Sequence, residues 1–308
     1  MLHEFRKNGK LMGNAFQITV VGQNEELAEQ NLEEAFNEIR RIESLLTTFN
    51  EESDTQNINR NAGIQPVKVA EEVYGLIERS LMISRVTNGF FDITYGGIDR
   101  SFWNFDRTMT KLPDIEKMRE GLKLVDYRKI ILNPKDHSVF LLDKGMRIGF
   151  GGIGKGYAAE MAKRLLESRG VTSGIVNAAG DLSIWGTQAD GKPWTVGIAD
   201  PNSAGLPFSY LNISNMAVAT SGNYEKFVEI GGKKYSHTIH PKTGMPAHGV
   251  KSATVFCPNA EIADAMATPI SIMDRREALG LINQIKDLEC IIIDDDDQLF
   301  VSDNIRLR

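Results

Sequence analysis

Apolar positions recur along the chain with two different periods, and the switches between them mark out its elements. From about Asn24, residues Leu27, Leu32, Ala35, Phe36, Ile39, Ile42 and Leu46 fall along one side of a helix, a stripe that reads as core. The run before it, 12–22, reads as a strand. A polar, Asn-rich stretch over 50–63 leads to a second helix at about 70–87, which Asn88-Gly89 can stop as a left-handed cap. A short helix is predicted near 113–122. Strands at 129–132, 139–142 and 146–148 then deliver the chain into a glycine-rich segment, 149–156. Residues 157–168 follow as a helix ended by Gly170.

Beyond that helix, strand-like runs at 174–177, 182–185, 194–198, 210–213, 216–220 and 253–257 are joined mostly by short turns. Two helices, 260 to about 267 and 275–285, precede a last hairpin of 291–293 with 299–301. Strands grouped in this way, without strict alternation with helices, predict an α+β fold of mostly antiparallel sheet with packed helices. No internal repeat or linker appears, so the 308 residues read as a single unit, 1–308, or as two intimately joined subdomains.

Composition narrows the function classes. Apolar residues at 42% and charged ones at 25% are the mix of a folded domain, which removes disorder as a theme. The 35 Lys and Arg against 41 Asp and Glu give a net charge of −6 without basic stripes, so nucleic acid is not an expected partner. The acidic run 294–297 lies between two strand-like stretches and reads as a solvated hairpin turn, not a calcium loop. Cys257 and Cys290 sit in apolar surroundings without a metal-binding spacing and read as core. No stretch has the apolar length of a membrane span, and residues 1–10 lack the hydrophobic run of a signal peptide. The chain is therefore expected to be cytoplasmic as read. If a leader was trimmed, the cell envelope or periplasm is the alternative, and membrane contact would come only through a partner or a missing anchor.

Candidate chemistry begins at the glycine segment. Gly149, Gly151 and Gly154 spell GxGxxG, and 149–155 spell most of a Walker A loop. Gly156 stands where the Walker loop needs Ser or Thr, and Asp181 comes late for the dinucleotide pattern. Two readings stay open: a phosphate site on the helix N-terminus with Lys155, or a tight turn whose glycines permit close packing. Asp264 and Thr268 are four apart on one helix face, a spacing that suits magnesium. By spacing alone they also read as a solvated Asp and a Thr bonded back to its own backbone. His237 ends a strand-like run before a Pro/Gly turn, placed either as a base or as a turn histidine. Phe90 and Phe91 beside Asp92 fit either a flat ring ligand or the core.

In order along the chain, these segments resemble the ApbE family, the FAD:protein FMN transferases formerly labelled thiamine-biosynthesis lipoproteins. The matching segments begin with Met12-Gly13-Asn14 for MGT, 43–59 with Phe49-Asn50 and Ser53, 89–94 for GxFDxT, and 151–157 for GGIxKGY. They continue with 177–181 for NxGGD, Thr220-Ser221-Gly222, 237–244 for HxxDPxTG, and 263–268 for ADxxAT. Eight such segments in register span nearly the whole chain.

The resemblance implies an α+β fold related to the tunnelling fold, with FAD as substrate lying in a cleft. It implies Mg2+ as cofactor, held by Asp264, Thr268 and the carbonyl of Gly152. Met12, Phe49, Phe90, Phe91, Asp92, Lys155 and Ile239 would line the FAD site, with His237, Lys155 and Asp264 as the catalytic set. The implied reaction is transfer of FMN to a Thr or Ser hydroxyl of an acceptor flavoprotein, a subunit of a membrane redox complex bearing a short Asp-Gly-x-Ser/Thr-Gly-Ala-Ser/Thr target, with release of AMP. Two other readings share these residues: an FAD pyrophosphatase using water, and a non-catalytic FAD carrier. The chain departs from the family pattern at Asn14 for Thr, Phe90 for Ala, Ala179 for Gly, Gly149 for an acid, and His240 for Asp.

Overall fold

A computed structural model describes residues 1–96, 109, 111–199, 207–222, 227–231 and 233–305. The N-terminal half contains β1 (His3–Leu11), β2 (Asn14–Gly22), α1 (Glu25–Leu46), α2 (Asp54–Arg60), β3 (Val67–Lys68), α3 (Glu71–Val86), α4 (Ile115–Leu122), β4 (Ile130–Asn133) and β5 (Ser138–Leu141). It is followed by α5 (Gly154–Ser168), β6 (Gly174–Ala178), β7 (Asp181–Trp185), β8 (Trp194–Ala199), β9 (Pro207–Ile213), β10 (Met216–Gly222), β11 (Phe227–Ile230) and β12 (Lys233–Ser236). The chain closes with β13 (Val250–Cys257), α6 (Ala260–Ile272), α7 (Arg275–Ile282), β14 (Glu289–Asp294) and β15 (Leu299–Val301).

Eight strands form one sheet in the order β1-β2-β6-β7-β10-β13-β14-β15, with every neighbouring pair antiparallel. The α+β expectation therefore holds. Helices α1, α5 and α6 pack on one face of this sheet. The β8–β9 hairpin lies against the other face, where Ile184, Trp194 and Val196 form a small apolar layer with Ile175 and Leu182. Smaller sheets are β3-β5-β4 and β11-β12.

Helix α1 starts where predicted because the Asn24 side chain accepts the N–H of Leu27 at 2.9 Å, and Glu25 and Glu26 favour its positive end. Its buried stripe is Ala28, Leu32, Ala35, Phe36, Ile39, Ile42 and Leu46. Leu27, expected on that stripe, is 52% exposed, because Ala28 occupies the position one helical turn before Leu32. Helix α3 stops as expected: Asn88 and Gly89 both take positive φ, 49° and 75°.

Several elements differ from the sequence expectation. Strand β1 pairs with all of β2 but occupies the sheet edge, so its side chains are mostly exposed or half-buried and leave no apolar alternation. Helix α2 lies within the polar stretch and is built on a Ser53 cap that accepts the Gln56 N–H at 3.1 Å. Residues 146–148 form only an isolated bridge, Arg147 with Tyr95. Helix α6 runs past 267 to Ile272 with Pro269 inside it. Burial pushes the Cys257 thiol up to about 11 and that of Cys290 up to about 12, in keeping with core cysteines. No helix among the described residues is long and apolar enough to cross a membrane.

Candidate active site

The first turn of α5 crosses α6 so closely that no side chain fits between them. A Cβ at Gly156 would stand 2.1 Å from the carbonyl oxygen of Ala260 and 2.6 Å from Asp264 Cβ. Across this crossing the Gly156 N–H donates to Asp264 Oδ2 at 2.8 Å. Gly156 thus serves the packing reading of the glycine segment, and an anion already occupies one N–H of the α5 N-terminus. Helix α6 itself is nearly all buried, and Asp264 is only 5% exposed, so the solvated-Asp reading falls.

Lys155 lies one residue before that crossing, and its ammonium is shared between two buried carboxylates. It bonds Asp181, at the start of β7, and reaches Asp264 Oδ1 at 3.4 Å. Asp181 is 4% exposed, and its second oxygen accepts the Thr220 N–H of β10 at 3.3 Å. Burial pushes the Asp181 carboxyl above the ordinary carboxylate range; Lys155 works against this and Asp264 adds to it. Burial also acts against the Lys155 ammonium, but Asp264 and Asp181 outweigh it and hold the group above its ordinary value. The two carboxylates are almost fully buried, whereas the lysine side chain keeps 24% of its surface exposed.

One turn on from Asp264, the Thr268 hydroxyl comes beside the glycine segment. A Cβ at Gly152 would meet both Thr268 Oγ1 and the edge of the Phe91 ring at 3.5 Å. Thr268 bonds through its backbone instead, its carbonyl accepting Ser271 Oγ at 2.7 Å. Met12 reaches the same place from the β1–β2 turn. It takes a left-handed φ of 51°, its N–H is held by Glu43 Oε1 at 2.8 Å, and its Cε lies 3.4 Å from where a Gly154 Cβ would be.

The structure therefore gathers Met12, Phe91, Gly152, Lys155, Asp264 and Thr268 around the α5–α6 crossing. Asp92 serves elsewhere, accepting the Thr94 N–H and hydroxyl at 2.8 and 2.6 Å and the Tyr127 N–H at 2.9 Å, which fastens the 89–95 loop. Phe90 points to a second group, with His240 at 5.2 Å between ring centroids and Lys242 Nζ 4.2 Å above its ring. Ile239 bridges to Pro246. Half-buried His237 and Phe49, 84% exposed, stand on segments outside the bonded trio.

Two family departures, Phe90 and His240, are thus neighbours. At a third, Gly149, a Cβ would lie 3.4 Å from the Tyr95 hydroxyl, and one at Gly151 only 2.5 Å from it, so Tyr95 fills the space beside this glycine segment. Asp181 joins the site without having been singled out by sequence. Its place in the NxGGD segment, opening a strand after a two-residue turn, is the signal that could have found it.

No cluster of three or more His, Cys, Asp or Glu able to hold a metal exists among the described residues. The donors that fit a hard divalent cation are the Asp264 carboxylate, the Thr268 hydroxyl one turn away and the backbone at Gly152.

The ApbE family model matches residues 12–292. The FAD:protein FMN transferase of Treponema pallidum is 30% identical over 289 residues, covering 89% of this chain and 80% of that protein. A protein of the same name from Klebsiella pneumoniae is 29% identical over 300 residues, covering 97% and 92%. Among solved structures, the ApbE protein of Thermotoga maritima superposes with a TM-score of 0.90 at 28% identity, covering 98% of this chain and 97% of that one.

Proposed function

We propose, from the premise that the chain belongs to the ApbE family, that it transfers FMN from FAD to a protein in a reaction that depends on Mg2+. Flavin transfer to a protein is what the relatives' names describe. The metal dependence is carried by one observation: the buried Asp264 carboxylate, the Thr268 hydroxyl and the Gly152 backbone come together as hard oxygen donors. A pyrophosphate brought beside that carboxylate is repelled by it unless a divalent cation compensates. Asp264, Thr268 and the Gly152 carbonyl would hold the ion, which would neutralise charge developing on the phosphates.

The chain's own residues do the rest. Lys155 supplies a positive charge, and Met12 and Phe91 flank the glycine segment that precedes it. The acceptor Thr or Ser oxygen forms a bond to the FMN phosphorus, the bond from that phosphorus to the bridging oxygen breaks, and AMP leaves with that oxygen. His237, half-buried after β12, takes the hydroxyl proton. The acceptor is a flavoprotein subunit of a redox complex.

The test is incubation with FAD and Mg2+, with and without a protein carrying the target motif, following AMP and the acceptor's mass. The expected result is an FMN-sized mass gain that requires acceptor, Mg2+ and Asp264. AMP release with no gain by the acceptor would replace this reading with a pyrophosphatase. Tight FAD binding without AMP would leave a carrier.

A further inference from the structure

Lys155 and a divalent cation compete for the same oxygen. The ammonium reaches Asp264 Oδ1 at 3.4 Å, longer than the roughly 2.7–2.9 Å of an ordinary charged N–H···O contact. The other oxygen of Asp264 is already engaged by Gly156 at 2.8 Å. Oδ1 is therefore the atom a metal would use, and a positive charge stands just short of it. Asp181 makes the tighter of the two contacts to that ammonium. It belongs to β7, not to α6, and the Thr220 N–H of β10 fixes its second oxygen at 3.3 Å. Asp181 is thus anchored on β7 and β10, separately from the helix that carries Asp264.

We infer that Asp181 is a positioning residue that holds the Lys155 ammonium off Asp264 and so keeps Asp264 Oδ1 open for the divalent cation. The inference rests on the metal site proposed above. Remove the Asp181 carboxylate, and the ammonium has one carboxylate left to pair with. It then closes on Asp264, and a cation must displace it to bind. No bond to substrate is involved: Asp181 acts through Lys155.

The experiment measures Mn2+ binding to the purified, flavin-free chain by electron paramagnetic resonance, with Mg2+ competition, in the wild type and in Asp264→Ala, Asp181→Asn, Lys155→Met and the Asp181→Asn/Lys155→Met double variant. Asp181→Asn is expected to weaken binding about tenfold or more, the scale of effect for a residue one shell out from a metal. Lys155→Met alone should bind at least as tightly as wild type, and the double variant should recover to within about threefold of Lys155→Met. That recovery separates positioning from a general loss of structure or from direct ligation by Asp181, neither of which deleting the lysine can repair. If Asp181→Asn binds like wild type, or the double variant stays as weak as Asp181→Asn, the inference is overturned while the metal site stands. Weaker binding in Lys155→Met overturns it even if Asp181→Asn fails to fold. If wild type shows no Asp264-dependent site, the metal reading itself falls, and this inference with it.

Discussion

The Gly156 N–H donates to Asp264 Oδ2 at 2.8 Å, so a carboxylate from α6 closes the first turn of α5. The contact exists because residue 156 has no side chain. In Gly156→Ala the added methyl would meet backbone at 2.1 Å, which no rotamer change relieves. The helices must part, at a cost of about 1–3 kcal/mol, and Asp264 moves with α6. Urea denaturation and metal binding should both report the loss.

Thr268 offers its hydroxyl beside Gly152, and valine has nearly the same shape without that oxygen. Thr268→Val should raise the Mg2+ concentration needed for half-maximal AMP release by about ten- to a hundredfold, whereas Thr268→Ser should stay near wild type. Equal behaviour of the two variants would remove Thr268 from the metal's donors.

The β6–β7 hairpin turns on Ala179 and Gly180, both at positive φ, 54° and 102°, where the family pattern has two glycines. Alanine is strained there. Ala179→Gly should stabilise the chain by about 0.5–1 kcal/mol, the left-handed penalty of about 1–2 kcal/mol less the extra freedom glycine has when unfolded. The midpoint of urea denaturation measures it.

Burial, and the nearby Lys242, push the His240 pKa below its ordinary 6.5, while its Nδ1 accepts the Lys242 N–H at 3.1 Å. A histidine depressed in the folded state adds stability above pH 6.5 that is lost on acidification through the folded pKa, because the unfolded chain takes the proton first. Thermal denaturation of wild type at pH 5.5 and 7.5 should therefore show a larger acid loss than His240→Gln. An equal loss in both would mean that His240 does not carry it.

The parts of this fold that announce themselves in the sequence are those whose burial is one-sided. The α1 stripe and the Asn88-Gly89 stop of α3 follow from periodicity and from the conformations glycine and asparagine tolerate. Strand β1 was hidden because an edge strand with charged residues at Glu4, Arg6, Lys7 and Lys10 has little to bury. Helix α2 was hidden because its stability rests on a cap and on only Thr55 and Ile58 within seven residues. The pair Asp264 and Thr268 showed in its spacing, but its burial did not, since that depends on α5 crossing at Gly156. Asp181 could be placed in the site only once β7 and α5 were set side by side.

Lys155 and Asp264 are 109 positions apart, and β2 finds its partner in β6 only after the whole of α1 to α5 has intervened. A nascent chain leaving the ribosome N-terminus first can therefore fold its β1–β2 hairpin and the α1 stripe early, yet it holds none of the α6 oxygens. Lysine and glycine loop wait for a helix not yet translated. The candidate site is in this sense a late checkpoint of biosynthesis: fragments stalled before α6 lack Asp264 and Thr268, and the site is complete only with the final elements of the fold.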